Sequence, residues 1–413
     1  MNTQWAVGQG PSFETAQPKG TTPNKGIGLL EQVLERENML QARHRVERNQ
    51  GAPGIDGMTV KDLRRYVKEN WAKTKETLLE GTYKPSPVRR VELPKPGGGT
   101  RLLGIPTVVD RLIQQALNQV LTLIFDPDFS PYSYGFRTGK KGHDAVRQAK
   151  DYIQQGYKVV VDTDLSKFFD RVNHDRLMSR VARKVKDKRV LKLIRAYLEA
   201  GVLQRGIVTK SEEGVQQGGP MSPLLGNIML DDFDKELTRR RHNFVRYADD
   251  VNIYVKSFRA GRRVMDSITK YLEGKLRLVV NLEKSSVDRP WKRKFLGFSF
   301  YTGKQIGIRL APKTIERLRE KIRELTQRKT PIPMKDRVKE LSQYLMGYYA
   351  LADAKKILGH MDEWIRHRLR MCVWKQWKRV KTEFGSLEHM VLQSGWPWAI
   401  QIQEKAHGLH PCF

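Results

Sequence analysis

The sequence predicts an α+β fold. Two observations carry that prediction. Segments with apolar residues three and four apart alternate with short β-branched runs, and those runs come in pairs joined by turn formers, the pattern of antiparallel hairpins packed with helices. No internal repeat is visible.

The elements follow in chain order. Residues 1–26 are rich in Gly, Pro, Thr and Gln, lack a hydrophobic period, and read as a flexible N-terminal tail. From Ile27 an amphipathic helix begins, with Leu30, Val33 and Leu34 at helical spacing. Asn49 to Gly57 is dense in turn formers and reads as a loop whose glycines permit close backbone approach. Residues 88–93 read as a strand, Lys95 to Arg101 as a glycine-rich hairpin tip, and Leu102 to Ile105 as the return. Residues 110–125 predict a helix burying Leu112, Ile113, Ala116, Leu117, Val120 and Leu121. Another helix is predicted over 142–155, and Val159 to Val161 predict a buried strand running into acids. Residues 174–200 read as one basic helical stretch, and 244–255 as a hairpin with acids at its turn. Further helices are predicted at 313–328 and 361–381.

Composition narrows the function. Lys plus Arg number 76 against 45 Asp plus Glu, a net charge of +31 over 413 residues. A field of that size concentrates polyanions, and nucleic acid is the usual one. A ribosomal-type structural protein and a basic membrane-surface protein are the bland alternatives. No apolar run is long enough to span a bilayer, and the N-terminus lacks a secretory apolar core. The two cysteines, Cys372 and Cys412, cannot supply a four-ligand zinc site or a disulfide framework. A reducing, cytoplasmic setting is the simplest expectation.

Two places put carboxylates at strand ends: Asp162, Asp164 and Asp170 after Val159 to Val161, and the adjacent pair Asp249 and Asp250 between apolar runs. Asp162 and Asp164 share a face if the strand reaches both. Crowded like charges each make the other harder to ionise, so such clusters persist where a divalent cation neutralises them. A solvated acidic turn is the plain alternative for Asp249 and Asp250 alone.

Tyr247-Ala248-Asp249-Asp250 resembles the catalytic box of reverse transcriptases, in the form most typical of group II intron enzymes. The likeness extends in order from about Ile27 to Trp377: Asn49 to Gly57, Arg101 to Pro106, Asp110-Arg111 with Gln114 and then Ser133 to Arg137, 159–170, Gln216 to Leu225, and Phe295 to Phe298. It implies a right-hand polymerase: fingers and palm over 27–305, the palm an antiparallel sheet with helices, then a helical thumb or maturase region over 306–381 and a short C-terminal segment, 382–413, as a reduced DNA-binding region.

The resemblance also implies roles. Asp164, Asp249 and Asp250 would be the catalytic ligands of two Mg²⁺ ions, with Asp162 the rival to Asp164. Phe169, five residues after Asp164, would be the aromatic gate that excludes ribonucleotides. Lys95 and Arg101 would clamp the triphosphate of a dNTP, Gln217 and Gly218 would meet the nascent pair, and Arg111, Gln114, Arg137 and Gly219 would follow the template. Leu296 and Gly297 fall in the primer-grip region. Expected partners are group II intron RNA, an RNA template with a DNA or RNA primer, and target DNA; no membrane and no obligatory protein partner is expected. No endonuclease is expected either, because a Cys/His cluster is lacking after Glu383. The rival readings are a splicing cofactor without useful polymerase activity, and a related enzyme serving host repair or defence.

Overall fold

The computed structural model describes residues 28–94, 100–204, 206–209, 211–303, 305–330, 332–349, 351 and 355–376. The expected segments 1–26 and 382–413, the hairpin tip with Lys95, and Trp377 lie outside the described residues.

The described residues up to Arg289 form one compact unit. Its elements are α1 (Leu29–Val33), α2 (Arg36–Asn49), α3 (Leu63–Leu79), β1 (Val88–Pro94), β2 (Thr100–Ile105), α4 (Val108–Phe125), α5 (Gly142–Gln154), β3 (Val159–Thr163), α6 (His174–Lys184), α7 (Lys188–Glu199), β4 (Val202–Gln204), β5 (Ile207–Thr209), α8 (Ser222–Arg239), β6 (Asn243–Tyr247), β7 (Asp250–Val255), α9 (Phe258–Tyr271) and β8 (Ser286–Asp288).

One sheet runs β6-β7-β3-β8, and every neighbouring pair in it is antiparallel. Val159 and Val161 are fully buried in it, as their β-branched run requires. α9 lies close on this sheet at Gly261, where an added Cβ would come within 2.4 Å of Val287. The second sheet runs β2-β1-β4-β5. Its β1–β2 hairpin has Arg89 opposite Ile105 and Pro94 opposite Thr100, matching the expected strands. β1 pairs with β4 in parallel, which the hairpin pattern alone did not foretell.

α4 is the central helix of this unit. Leu112, Ile113, Ala116, Leu117 and Leu121 are buried as expected, whereas Val120 is only partly covered. The acid at its start is a hub. Asp110 is buried, and its carboxylate accepts from Thr107 Oγ1 (2.7 Å), the Tyr83 hydroxyl (2.8 Å), the Tyr197 hydroxyl (3.2 Å) and Ser86 N (3.2 Å). Burial pushes its carboxyl up, and these donors oppose that.

The predicted helix over 174–200 is two helices. The chain turns at 185–187, and Asp187 caps α7 through Oδ1, which accepts from Arg189 N at 2.9 Å. Its Oδ2 accepts from Leu30 N of α1 at 3.1 Å, and Arg189 reaches on to Glu31 at 2.7 Å. A capping residue with a partner far along the chain overrides helical periodicity there.

From Pro290 onward the chain forms a second compact unit. It holds β9 (Phe298–Tyr301), β10 (Gly307–Leu310), α10 (Pro312–Leu325), α11 (Met334–Tyr349) and α12 (Lys355–Gln376). The expected boundary at 305/306 falls inside this unit, because the β9–β10 hairpin is tied to α10: Ala311 N donates to Gly297 O at 3.1 Å. α10 ends at Leu325 rather than 328, where the buried Arg337 guanidinium collects the carbonyls of Leu325, Gln327 and Thr330. Trp364 of α12 lies beneath the guanidinium groups of Arg323 and Arg368. Among the described residues no helix is long and apolar enough to cross a membrane.

Asp187→Ala removes a helix cap and the acceptor for Leu30 N together, so it should lower stability by about 2 kcal/mol. Urea unfolding followed by circular dichroism reads this directly, and a loss near zero would show that neither bond matters to the fold.

Candidate active site

The site begins with two strand ends in the same sheet. β3 stops at Thr163, and Asp164 follows it. β6 and β7 meet through Tyr247 opposite Asp250, leaving Ala248 and Asp249 as the tip of the turn. Ala248 takes φ +57°, a left-handed conformation that costs a side chain but lets two residues reverse the chain. Asp250 is exposed and Asp249 is partly covered.

Burial is the main reason that Asp249 has its carboxyl raised above the usual range; the charge of Asp164 adds to this, while Arg101 and Arg246 oppose it. Asp164 and Asp249 therefore stand close enough to repel. Asp162 lies within the sheet instead, opposite Asn252 and Ser286, and its charge bears on Tyr254. Loop 279–285 holds the Asp164 backbone: Asp164 N donates to Ser285 Oγ at 3.0 Å, and Asn281 N donates to Asp164 O at 2.8 Å. Sequence reasoning passed over that loop.

The turn is braced from beneath by Arg246, which is fully buried. Its Nε and Nη2 donate to the Asp234 carboxylate of α8 at 2.8 and 2.6 Å, and neither side chain is exposed. Its Nη1 donates to Asn227 Oδ1 at 2.9 Å and to Ala248 O, inside the turn, at 2.8 Å. Asn227 Nδ2 in turn donates to Gly135 O at 2.9 Å. A Cβ on Gly135 would lie 2.2 Å from Ala248 N, so only glycine fits between the turn and its support. Tyr134 N donates to Arg246 O, and Arg246 N to Tyr132 O, both at 2.9 Å. The 132–135 segment thus forms a backing for the acidic turn. Arg246, Asp234 and Asn227 gave no signal in the sequence beyond polar residues inside apolar runs.

Residues 213–219 join several expected groups. Gln217 Oε1 accepts from Arg101 Nε at 2.8 Å, and Gln217 O from Gly104 N at 2.8 Å. Gly218 has φ +119° and would carry a Cβ only 2.6 Å from Gly104 O. A Cβ on Gly219 would come within 2.5 Å of Gln114 Oε1. Both glycines thus pack closely on β2 and α4. Phe169 is partly buried, with its ring edge-on to Phe168 at 4.9 Å and against Gly226 of α8.

The remaining expected residues have partners within the chain. Arg111 is buried, and its Nη2 donates to Ala52 O of the 49–57 loop at 2.9 Å. Arg137 binds its own chain, donating to Asp126 Oδ1 at 2.8 Å and to the carbonyls of Asp126 and Ser130 at 2.8 and 2.6 Å. Leu296 (φ +50°) and Gly297 (φ +88°) form a two-residue turn closed by paired bonds between Phe295 and Phe298. That turn belongs to the second compact unit.

Chemically, the acids offer hard oxygen ligands. Among the described residues no three His, Cys, Asp or Glu side chains are gathered as a ready metal cage. A hard cation held by one or two carboxylates, with water and substrate phosphates completing its shell, needs no such cage, so the donor set fits one.

Comparison with known proteins agrees with this geometry. Residues 93–300 match the model for reverse transcriptase (RNA-dependent DNA polymerase), and 315–390 match the maturase-specific domain of group II introns. This chain belongs to the reverse transcriptase family. With the second domain it is a group II intron reverse transcriptase/maturase, an RNA-directed DNA polymerase that binds RNA. Protein YkfC of Escherichia coli is 33% identical over 299 residues, covering 63% of this chain and 78% of YkfC. The group II intron-encoded protein LtrA of Lactococcus lactis is 36% identical over 182 residues, covering 44% of this chain but 30% of LtrA. Telomerase from Candida albicans is a distant structural likeness, with a TM-score of 0.46 and 12% identity, covering 85% of this chain and 71% of that one.

Two outcomes follow for this reverse transcriptase. A carboxyl raised in the folded state opposes folding once ionised, so stability is lost as pH rises through its folded pKa. Asp249→Asn should therefore melt higher than wild type in metal-free buffer at neutral pH, by about 2 °C, with the gap closing on acidification. An equal or lower melting point at neutral pH would contradict it. For the buried pair, Arg246→Ala or Asp234→Ala should each lose about 3–5 kcal/mol, because each strands a buried charge. A double-mutant cycle with Arg246→Met and Asp234→Leu should show strong coupling, and simple additivity would count against the pairing.

Proposed function

We propose that Asp164 and Asp249, with Asp250 beside them, hold two Mg²⁺ ions for the addition of a dNTP to a primer 3′-hydroxyl on an RNA template. The observation that supports this is that Asp164 follows β3 and Asp249 tips the β6–β7 turn of the same sheet, where burial and the charge of Asp164 raise the Asp249 carboxyl. When bound, such ions neutralise phosphate charge and favour the ionised 3′-hydroxyl.

The chain's own residues supply position. Loop 279–285 fixes the Asp164 backbone, and Arg246 fixes the carbonyl behind Asp249. Arg101, exposed on β2 and bonded to Gln217, would meet an incoming triphosphate, with Lys95 as its proposed partner from the hairpin tip. Gln217 and Gly218 would meet the nascent pair. Phe169 would lie under the sugar and obstruct a 2′-hydroxyl. Gln114 and Gly219 would border the template, while Arg111 and Arg137 act through the backbone they hold. Leu296 and Gly297 would steady the primer end. Phosphoryl transfer needs little covalent help, so positioning and electrostatics carry most of the acceleration.

The basic surface is proposed to bind group II intron RNA and assist its splicing, as the maturase-specific match over 315–390 supports. Fingers, palm and thumb are proposed to follow 27–305 and 306–381.

Primer extension on an RNA template with Mg²⁺ tests the reading, comparing wild type with Asp249→Ala. Extension with dNTPs that falls to background in Asp249→Ala, with RNA affinity kept, is expected. Tight RNA binding without extension by the wild type would instead favour a splicing cofactor.

A further inference from the structure

The segment proposed to gate the sugar is tied to a neighbouring strap, residues 213–219. Val215 N donates to Phe169 O at 2.6 Å, and Gly214 N to Val172 O at 2.7 Å. Asn173 and Glu213 form a β-bridge beside them. Gly214 has φ +95°, and a Cβ there would press to 3.0 Å from Asp170 O and 3.1 Å from Phe169 O. The strap can lie this close only because residue 214 is glycine.

Several side chains hold the strap: Ser211 Oγ donates to Glu213 O at 2.7 Å and Ser222 Oγ to Gln216 O at 2.6 Å, and His174 reaches Gly214 between them. His174 opens α6 and is 2% exposed. Its Nε2 lies 2.8 Å from Gly214 O. A carbonyl only accepts, so Nε2 carries the proton and donates. A buried polar group is costly unless it is hydrogen-bonded, and this bond ties the start of α6 to the strap.

The far end of the strap reaches the β1–β2 hairpin through Gln217, which accepts from Gly104 N and Arg101 Nε. Phe169 is limited sideways by Phe168 and by Gly226, where a Cβ would come within 3.2 Å of its ring. Along its own backbone, the 2.6 Å bond from Val215 sets its depth.

We propose that His174 is a positioning residue for sugar selection: through Gly214 it sets how deep the Phe169 ring sits beneath the incoming nucleotide. It touches no substrate. The inference rests on the reading of Phe169 as the gate, and predicts that discrimination against NTPs depends on a hydrogen-bond donor at position 174.

The test is primer extension by the full chain on an RNA template with Mg²⁺, scored as the ratio of dNTP to NTP incorporation. The variants are His174→Leu, His174→Gln, Gly214→Ala and Phe169→Val. His174→Leu should lower the ratio by roughly tenfold, the scale on which a pocket discriminates one small group. His174→Gln places an amide donor at similar reach and should restore it. If His174→Leu does not fold, Gly214→Ala disturbs the same carbonyl from the other side and should lower the ratio too. Equal losses of dNTP and NTP incorporation in both disturbed variants would show a merely structural role and overturn the proposal. So would equal ratios in the leucine and glutamine variants. A wild-type ratio in Phe169→Val would remove the gate itself, whereas a fall there with no change at 174 or 214 would remove only the role of His174.

Discussion

The acidic turn depends on one buried positive charge. Arg246 sits in a strand between Val245 and Tyr247, and the fold gives its guanidinium no water. Asp234 answers the charge, but an ion pair of this kind can be replaced by packed hydrophobic side chains with little loss of stability. Stability alone therefore does not explain it. What an apolar pair could not supply is the remaining donor, which reaches past Asp234 to Asn227 and to the carbonyl of Ala248. The charge pair locks the fork, and the fork locks the turn that carries Asp249. Gly135 closes the arrangement from the other side, leaving the turn no room to shift.

That rigidity is needed because the tip is locally unfavourable. Ala248 is held left-handed, and Asp249 is held where burial and Asp164 both penalise its charge. Neither feature would persist in an isolated hairpin. Each is sustained by groups more than ten residues away along the chain, on α8, in 132–135 and in 279–285. Sites that break local rules persist where the surrounding structure over-determines them, and carboxylates that repel one another are well disposed towards a cation that relieves the repulsion.

Much of this was legible from local pattern. The Val159–Val161 strand, the β1–β2 hairpin and the acidic turn all announce themselves by β-branched runs and turn residues, and the two acidic strand ends do belong to one sheet. What stayed hidden has a common physical cause. Asp187 splits a helical stretch by bonding to Leu30, Asp110 gathers donors from Tyr83 and Tyr197, and Arg246 pairs with a helix preceding it. Each is a polar residue whose meaning lies in a partner distant in sequence, and periodicity holds no record of such partners. The partners of Arg111 and Arg137 were hidden in the same way: one donates to the carbonyl of Ala52, the other to the carboxylate of Asp126 and the carbonyl of Ser130. The close packing of Gly218 on Gly104 O and of Gly219 on Gln114 was hidden for the same reason, since both neighbours lie far back in the chain.

These supports also connect the two sides of the site. Gln217 is bonded at once to the backbone of β2 and to Arg101, and the same strap holds the carbonyl of Phe169. A shift of the β1–β2 hairpin toward a bound triphosphate would be transmitted to the strap that carries the proposed sugar gate. Charge neutralisation and sugar selection would then be settings of one element rather than separate contacts. In a reaction where positioning supplies most of the rate, a displacement of about 1 Å at such an element carries a large kinetic cost. On the proposed reading, the polar residues beneath the acids and behind the gate would matter to the chemistry as much as the acids, by fixing where they stand.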